Sequence, residues 1–119
     1  MSDIRKQRGQ KGEDLAFMAL KERNYEILAR NFRRAEGEID IIARKDGCLY
    51  FVEVRSKTGS LFGTAAESVG KAKKKQLARM AQIYMAESGQ EADCEFMVVA
   101  IDFATNELQI IHDMLAYST

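Results

Sequence analysis

The chain has 119 residues, 46% of them hydrophobic and 30% charged, the proportions of one globular domain large enough to bury its own core. Its longest apolar run, Phe96 to Ile101, is far shorter than the ~20 residues of a membrane-spanning helix. No apolar segment follows the basic N-terminus, so a secretory signal is not expected and the predicted location is cytoplasmic, with no membrane partner.

The formal net charge is zero but unevenly placed. All 18 Lys and Arg lie within residues 1–79 against 11 of the acids, a net of +7, and residues 80–119 carry the remaining 7 acids. The first two-thirds of the chain is therefore suited to a polyanion. Cys48 and Cys94 are too few and too far apart for a disulfide framework or a zinc ribbon, and read as reduced thiols. The single histidine, His112, leaves a histidine-rich metal site or a Ser–His triad without its parts.

Residues 1–8 read as a mobile basic arm and 9–119 as a single domain. Gly9 to Arg23 has a helical pattern, with Ala16, Phe17 and Leu20 on one face. Glu13 falls in the same arc, so its carboxylate points inward and needs a partner, as a third acid of a metal site or against an Arg at a strand end. Asp14 lies on another face and reads as a solvated first-turn acid. Tyr25 to Ala29 is a short strand, followed by a basic stretch with Arg30, Arg33 and Arg34.

Ile39 to Ala43 and Leu49 to Arg55 are strands rich in β-branched and aromatic residues, and the Asp46-Gly47 pair between them predicts a tight hairpin. Gly59 and Gly63 mark a loop into a long helix, about Ala65 to Glu87, whose apolar face is Val69, Leu77, Met80, Ala81 and Tyr84. Ser88-Gly89-Gln90 stops that helix. Phe96 to Ile101 and Glu107 to Ile111 complete the pattern as strands joined by a turn near Asn106.

In a two-residue hairpin at Asp46-Gly47, Ile42 faces Phe51, Asp40 faces Glu53 and Glu38 faces Arg55, with Glu38, Asp40 and Ile42 sharing a face. Directly opposed strand residues have Cβ atoms about 4.5–5.5 Å apart. Two full charges at ~5 Å repel by about 3 kcal/mol at an effective dielectric near 20. A divalent cation turns that repulsion into ligation, since Mg²⁺ favours one or two carboxylates with water and phosphate oxygens. The alternatives are a raised pKa on one carboxyl, or neutralisation by nearby bases. Lys71, Lys73, Lys74, Lys75 and Arg79 spread around the first half of the long helix. With Arg30, Arg33 and Arg34, some of them make a groove for a phosphate backbone, binding in a salt-sensitive way.

These residues resemble the YraN-like family of small bacterial proteins, related to Holliday-junction resolvases within the PD-(D/E)xK nuclease superfamily. The resemblance runs through Gly12-Glu13-Asp14, Asn31-Phe32-Arg33, Gly37-Glu38-Ile39-Asp40-Ile41-Ile42-Ala43, Phe51-Val52-Glu53-Val54-Arg55, Phe62-Gly63, Lys73 and Ala81 to Tyr84. It implies a restriction-endonuclease-like α/β fold, a mixed β-sheet flanked by helices in the order α-β-β-β-α-β-β. It also implies metal-dependent endonuclease hydrolysis of phosphodiesters in branched or structured DNA, with a catalytically inactive nucleic-acid-binding module of the same fold as the alternative. Carried over by position, Glu13 is the helix acid, and Asp40 and Glu53 are the signature acids that ligate Mg²⁺ or Mn²⁺, with the Val54 carbonyl as a further ligand. The signature lysine falls on Arg55, which stays protonated and cannot serve as a general base but can orient a phosphate or stabilise its charge. Lys57, two residues on, can supply an ammonium instead. Arg30, Arg33, Arg34, Lys71, Lys73 and Lys74 are the candidate contacts to DNA or RNA, and junction-resolving relatives suggest a homodimer by analogy.

Overall fold

In the computed structural model the described residues are 2–57 and 70–113, with side chains for 9–56 and 70–112. Helix α1 (Ser2–Glu22) leads into strands β1 (Glu26–Arg34), β2 (Gly37–Lys45) and β3 (Cys48–Lys57), then helix α2 (Lys71–Ser88), β4 (Asp93–Asp102) and β5 (Glu107–Asp113). The expected order α-β-β-β-α-β-β and the α/β class are those observed. The five strands form one sheet in chain order, antiparallel except between β3 and β4, which run parallel.

That one parallel pair explains where the helices go. Parallel neighbours need a crossover connection, which carries α2 over one face of the sheet. Leu77, Met80, Ala81 and Tyr84 of α2 pack there on Ile42, Leu49, Phe51 and Phe96. Ala16 and Leu20 of α1 cover the other face, against Ile41, Val52, Met97 and Val99. Successive strand residues point to opposite faces, so Phe51 and Val52 enter different cores and β3 is buried on both sides.

Local chemistry matches the turns. Asp46 and Gly47 both take positive φ, 52° and 77°, the backbone of the hairpin turn that Asp-Gly favours. Gly89 closes α2 in the left-handed conformation, at φ 71°. The differences lie at element ends. Helix α1 starts at Ser2 rather than Gly9, and β1 extends through Arg34, so the basic stretch belongs to an edge strand. Helix α2 begins at Lys71, with an extended Gly70 as its N-cap, so it does not run unbroken from about Ala65. The loop with Gly59 and Gly63, Val69 and the Phe62-Gly63 motif lie outside the described residues.

Among the described residues no helix is long and apolar enough to cross a membrane.

Candidate functional site

The β2–β3 hairpin has the expected register, from Lys45↔Cys48 through Ile42↔Phe51 to Ile41↔Val52. The backbone ladder stops at the next step, where Asp40 and Glu53 meet. There Asp40 Oδ2 accepts the Val54 N–H at 2.8 Å. In a strand, one residue's N–H and C=O face the same neighbour, so the Val54 carbonyl also turns towards the Asp40 side.

Beside this opening, β1 and β2 depart from regular alternation. Asn31 stands between the pairs Arg30↔Ile41 and Phe32↔Ile39, and it has a left-handed backbone, φ 53°. Ile39 packs in the core under α2 and Ile41 in the core under α1, although a regular strand would place both on one face. The neighbouring strand changes phase with it. Phe32 packs edge-on to Tyr84 of α2, whereas the Arg30 guanidinium lies over the Phe17 ring of α1.

This phase change corrects the expected file of Glu38, Asp40 and Ile42. Glu38 comes to lie beside Glu13 of α1, where Arg33 Nε pairs with it at 3.3 Å. The expected register set Glu38 opposite Arg55, but among the described residues its ion pair is with Arg33.

Asp40 and Glu53 do converge. Burial, then the charge and hydrogen-bonding reach of Glu53, push Asp40 up to about 8, against the pull of the Val54 N–H. Glu53 is buried, 8% exposed, and its Oε2 pairs with Lys73 Nζ of α2 at 3.3 Å. Lys73, expected at a phosphate backbone, is thus placed against the acid pair itself.

Glu13 is half-buried, and burial followed by the Glu38 charge raises its pKa while Arg30 and Arg33 oppose the rise. One terminal atom of the Asn31 amide lies 2.8 Å from Glu13 Oε1 and 3.3 Å from Glu38 Oε1, and because both neighbours are carboxylate oxygens it is assigned as the nitrogen, which then donates to both. Glu13 reaches Asp40 as a like charge, the weakest of the influences that raise it. Asn31 was not among the sequence-predicted site residues. A poor strand former with a taste for the left-handed region, set between Arg30 and Phe32, is the signal that marks it.

The remaining predicted residues divide. Arg55 lies on the Glu53 side of β3 by alternation, and its buried Nε has no hydrogen-bond partner among the described residues. Arg30 pairs with Asp14 at 2.8 Å, and Arg34 bonds the Glu87 carboxylate with two nitrogens. Asp14, 12 residues beyond the start of α1, is therefore an ion-pair partner held below the usual carboxylate range by Arg30, not a first-turn acid. Lys71 is exposed and Lys74 half-buried in the first turn of α2. The side chain of Lys57 lies outside the described residues.

The donor set is all oxygen. Among the described residues no three His, Cys, Asp or Glu side chains come together to hold an ion by themselves. Two carboxylates with an inward carbonyl fit a hard cation that keeps water or phosphate in its other positions, as Mg²⁺ and Mn²⁺ do.

A family profile described as "Uncharacterised protein family UPF0102" matches residues 12–101, which include every described acid of the site. The chain belongs to UPF0102, the YraN-like family of bacterial proteins. Similar UPF0102 proteins include one from Symbiobacterium thermophilum, 44% identical over 79% of this chain and 80% of its own length. Others come from Roseiflexus castenholzii, 38% identical over 94% of each chain, and from Geobacter metallireducens, 39% identical over 94% of this chain and 93% of its own.

Proposed function

We propose that this UPF0102 protein is a Mg²⁺- or Mn²⁺-dependent endonuclease that hydrolyses phosphodiesters in branched or structured DNA. The observation that carries the reading is the meeting of Asp40 and Glu53 where the hairpin ladder ends, with one acid forced towards its neutral form. Two acids held together at a cost to folding indicate a function that uses both.

Asp40, Glu53 and the Val54 carbonyl would hold the cation, which when bound supplies an acidified water and neutralises charge on the phosphate. Lys73 holds Glu53 in place at 3.3 Å, and limits the build-up of negative charge before substrate arrives. Arg55, permanently charged and with a donor left over, orients the scissile phosphate and stabilises its growing charge. Glu13 directs a water from the α1 side. Lys71 and Lys74 track the nucleic-acid backbone, with RNA as the alternative polyanion.

The test is cleavage of end-labelled four-way junctions, flaps and single strands with Mg²⁺ or Mn²⁺. Cleavage lost in Asp40→Asn supports the assignment, and cleavage undiminished in that variant removes it.

A second reading is a binding module that has lost catalysis. Arg55 favours it, because a guanidinium cannot take up a proton from water at the place where the superfamily carries a lysine. It predicts salt-dependent binding to the same substrates with no cleavage in any of them.

A further inference from the structure

We propose that Asn31 is a positioning residue of this site, its amide holding Glu13 of α1 and Glu38 of β2 together so that Glu13 is directed towards the Asp40–Glu53 pair. The inference rests on the metal-site reading above and adds a residue and a role to it.

Two separate demands fall on position 31. The backbone there has φ 53°, which Asn tolerates better than other residues with a side chain, and which a β-branched or bulky residue resists. The side chain must also bring a donor between two carboxylates, at 2.8 Å from Glu13 Oε1 and 3.3 Å from Glu38 Oε1. Glycine meets only the first demand. Aspartate meets the first and reverses the second, since it puts a third negative charge between two others. Asparagine meets both.

The same residue links the two cores. Its left-handed turn accompanies the phase change that sends Ile39 to one face and Ile41 to the other, and Asp40 lies between them. The amide joins Glu13 of α1 to Glu38 of β2 directly, whereas Arg30 pairs with Asp14 and Arg33 with Glu38, and both arginines act on Glu13 only through their charge. Neutral Asn brings a donor without the charge of an arginine, which would compete with a cation for the carboxylates.

The experiment is a calorimetric titration of Mn²⁺ into wild type, Asn31→Gly, Asn31→Asp, Glu13→Gln and the Asn31→Gly/Glu13→Gln double variant, with thermal melts of each. Partners that orient the residues around a metal typically contribute 10–100-fold in affinity. Asn31→Gly should therefore bind Mn²⁺ about ten-fold more weakly while melting near wild type, and Asn31→Asp, which also keeps the left-handed backbone, should fall at least as far. In the Glu13→Gln background the Asn31→Gly change should have little further effect, because its target is already gone.

Equal Mn²⁺ affinity in wild type and Asn31→Gly overturns the inference and leaves the metal site standing. So does an equal loss in the Glu13→Gln background, which would place the effect in the strand rather than in the amide. If wild type binds no Mn²⁺, the metal site and the role of Asn31 fall together. Should Asn31→Gly fail to fold, the Asn31→Asp titration alone decides, wild-type affinity there being the overturning result.

Discussion

Asp40 Oδ2 accepts the Val54 N–H at 2.8 Å, so the acid of β2 is bound to the residue that follows the acid of β3. A side chain has taken a position that the backbone of β2 would otherwise fill, and the two carboxyls are fixed at the mouth of the opened hairpin. The catalytic proposal depends on that exchange, which has testable consequences.

The first concerns pH. The carboxyl of Asp40 sits near 3.8 in an unfolded chain and about 8 in the fold, so folding takes up a proton between these values. Stability from this group is complete below about pH 4, declines as pH rises and is gone above about pH 8. Metal-free wild type should lose melting temperature relative to Asp40→Asn across that window, and the variant should be the more stable of the two at pH 8. Paired thermal melts in chelator check this; parallel profiles would contradict it.

Metal removal is the counterpart. Binding to the folded state alone stabilises it by mass action, and the cation must displace the Asp40 proton. Added Mg²⁺ or Mn²⁺ should raise the melting temperature of wild type, more at pH 8 than at pH 5, and leave Glu53→Gln nearly unmoved. Chelator should reverse the gain. An equal rise in both proteins would show that the ion binds elsewhere.

Arg55 should separate binding from chemistry. A donor aimed at developing charge contributes about 10²–10³-fold to turnover. Arg55→Gln should lose that much cleavage rate while its DNA affinity falls only a few-fold, and Arg55→Lys should recover much of the rate. Single-turnover cleavage set beside equilibrium binding measures both quantities.

The basic residues should be unequal in binding. Lys71 is exposed at the start of α2, while the Arg34 guanidinium is already held by Glu87 and lies over the Phe32 ring. Lys71→Ala should lower the slope of log affinity against log salt by about 1, as the loss of one phosphate contact does. Arg34→Ala should change that slope less. Glu87→Gln, which releases Arg34, should tighten binding with little change in stability, because the pair is solvent-exposed.

Gly37 opens β2 just ahead of Glu38. Its φ is 153°, and a Cβ there would stand 2.7 Å from the Gln76 side chain of α2. Gly37→Ala should destabilise the fold by roughly 1–3 kcal/mol in denaturant titrations. Trimming the obstacle in Gly37→Ala/Gln76→Ala should restore only part, since the backbone strain remains and Gln76 also donates to the Glu36 carbonyl at 3.1 Å.

The sequence by itself determined the parts that repeat along the chain. Apolar spacing on α2 marked Leu77, Met80, Ala81 and Tyr84, and all four are buried. Asp46-Gly47 set the hairpin turn, and with it the register that brings Asp40 opposite Glu53, because a turn of fixed length leaves only one way to pair its strands. Only the tertiary structure decided what happens where the pattern breaks. A left-handed Asn31 and a change of phase at Asp40 follow from packing two helices on opposite faces of one sheet, and strict alternation gives no warning of either. The pairing of Lys73 with Glu53, of Arg30 with Asp14 and of Glu38 with Arg33 was equally hidden. Periodicity tells which face a charge occupies, but its partner depends on how elements distant in sequence come to lie against one another.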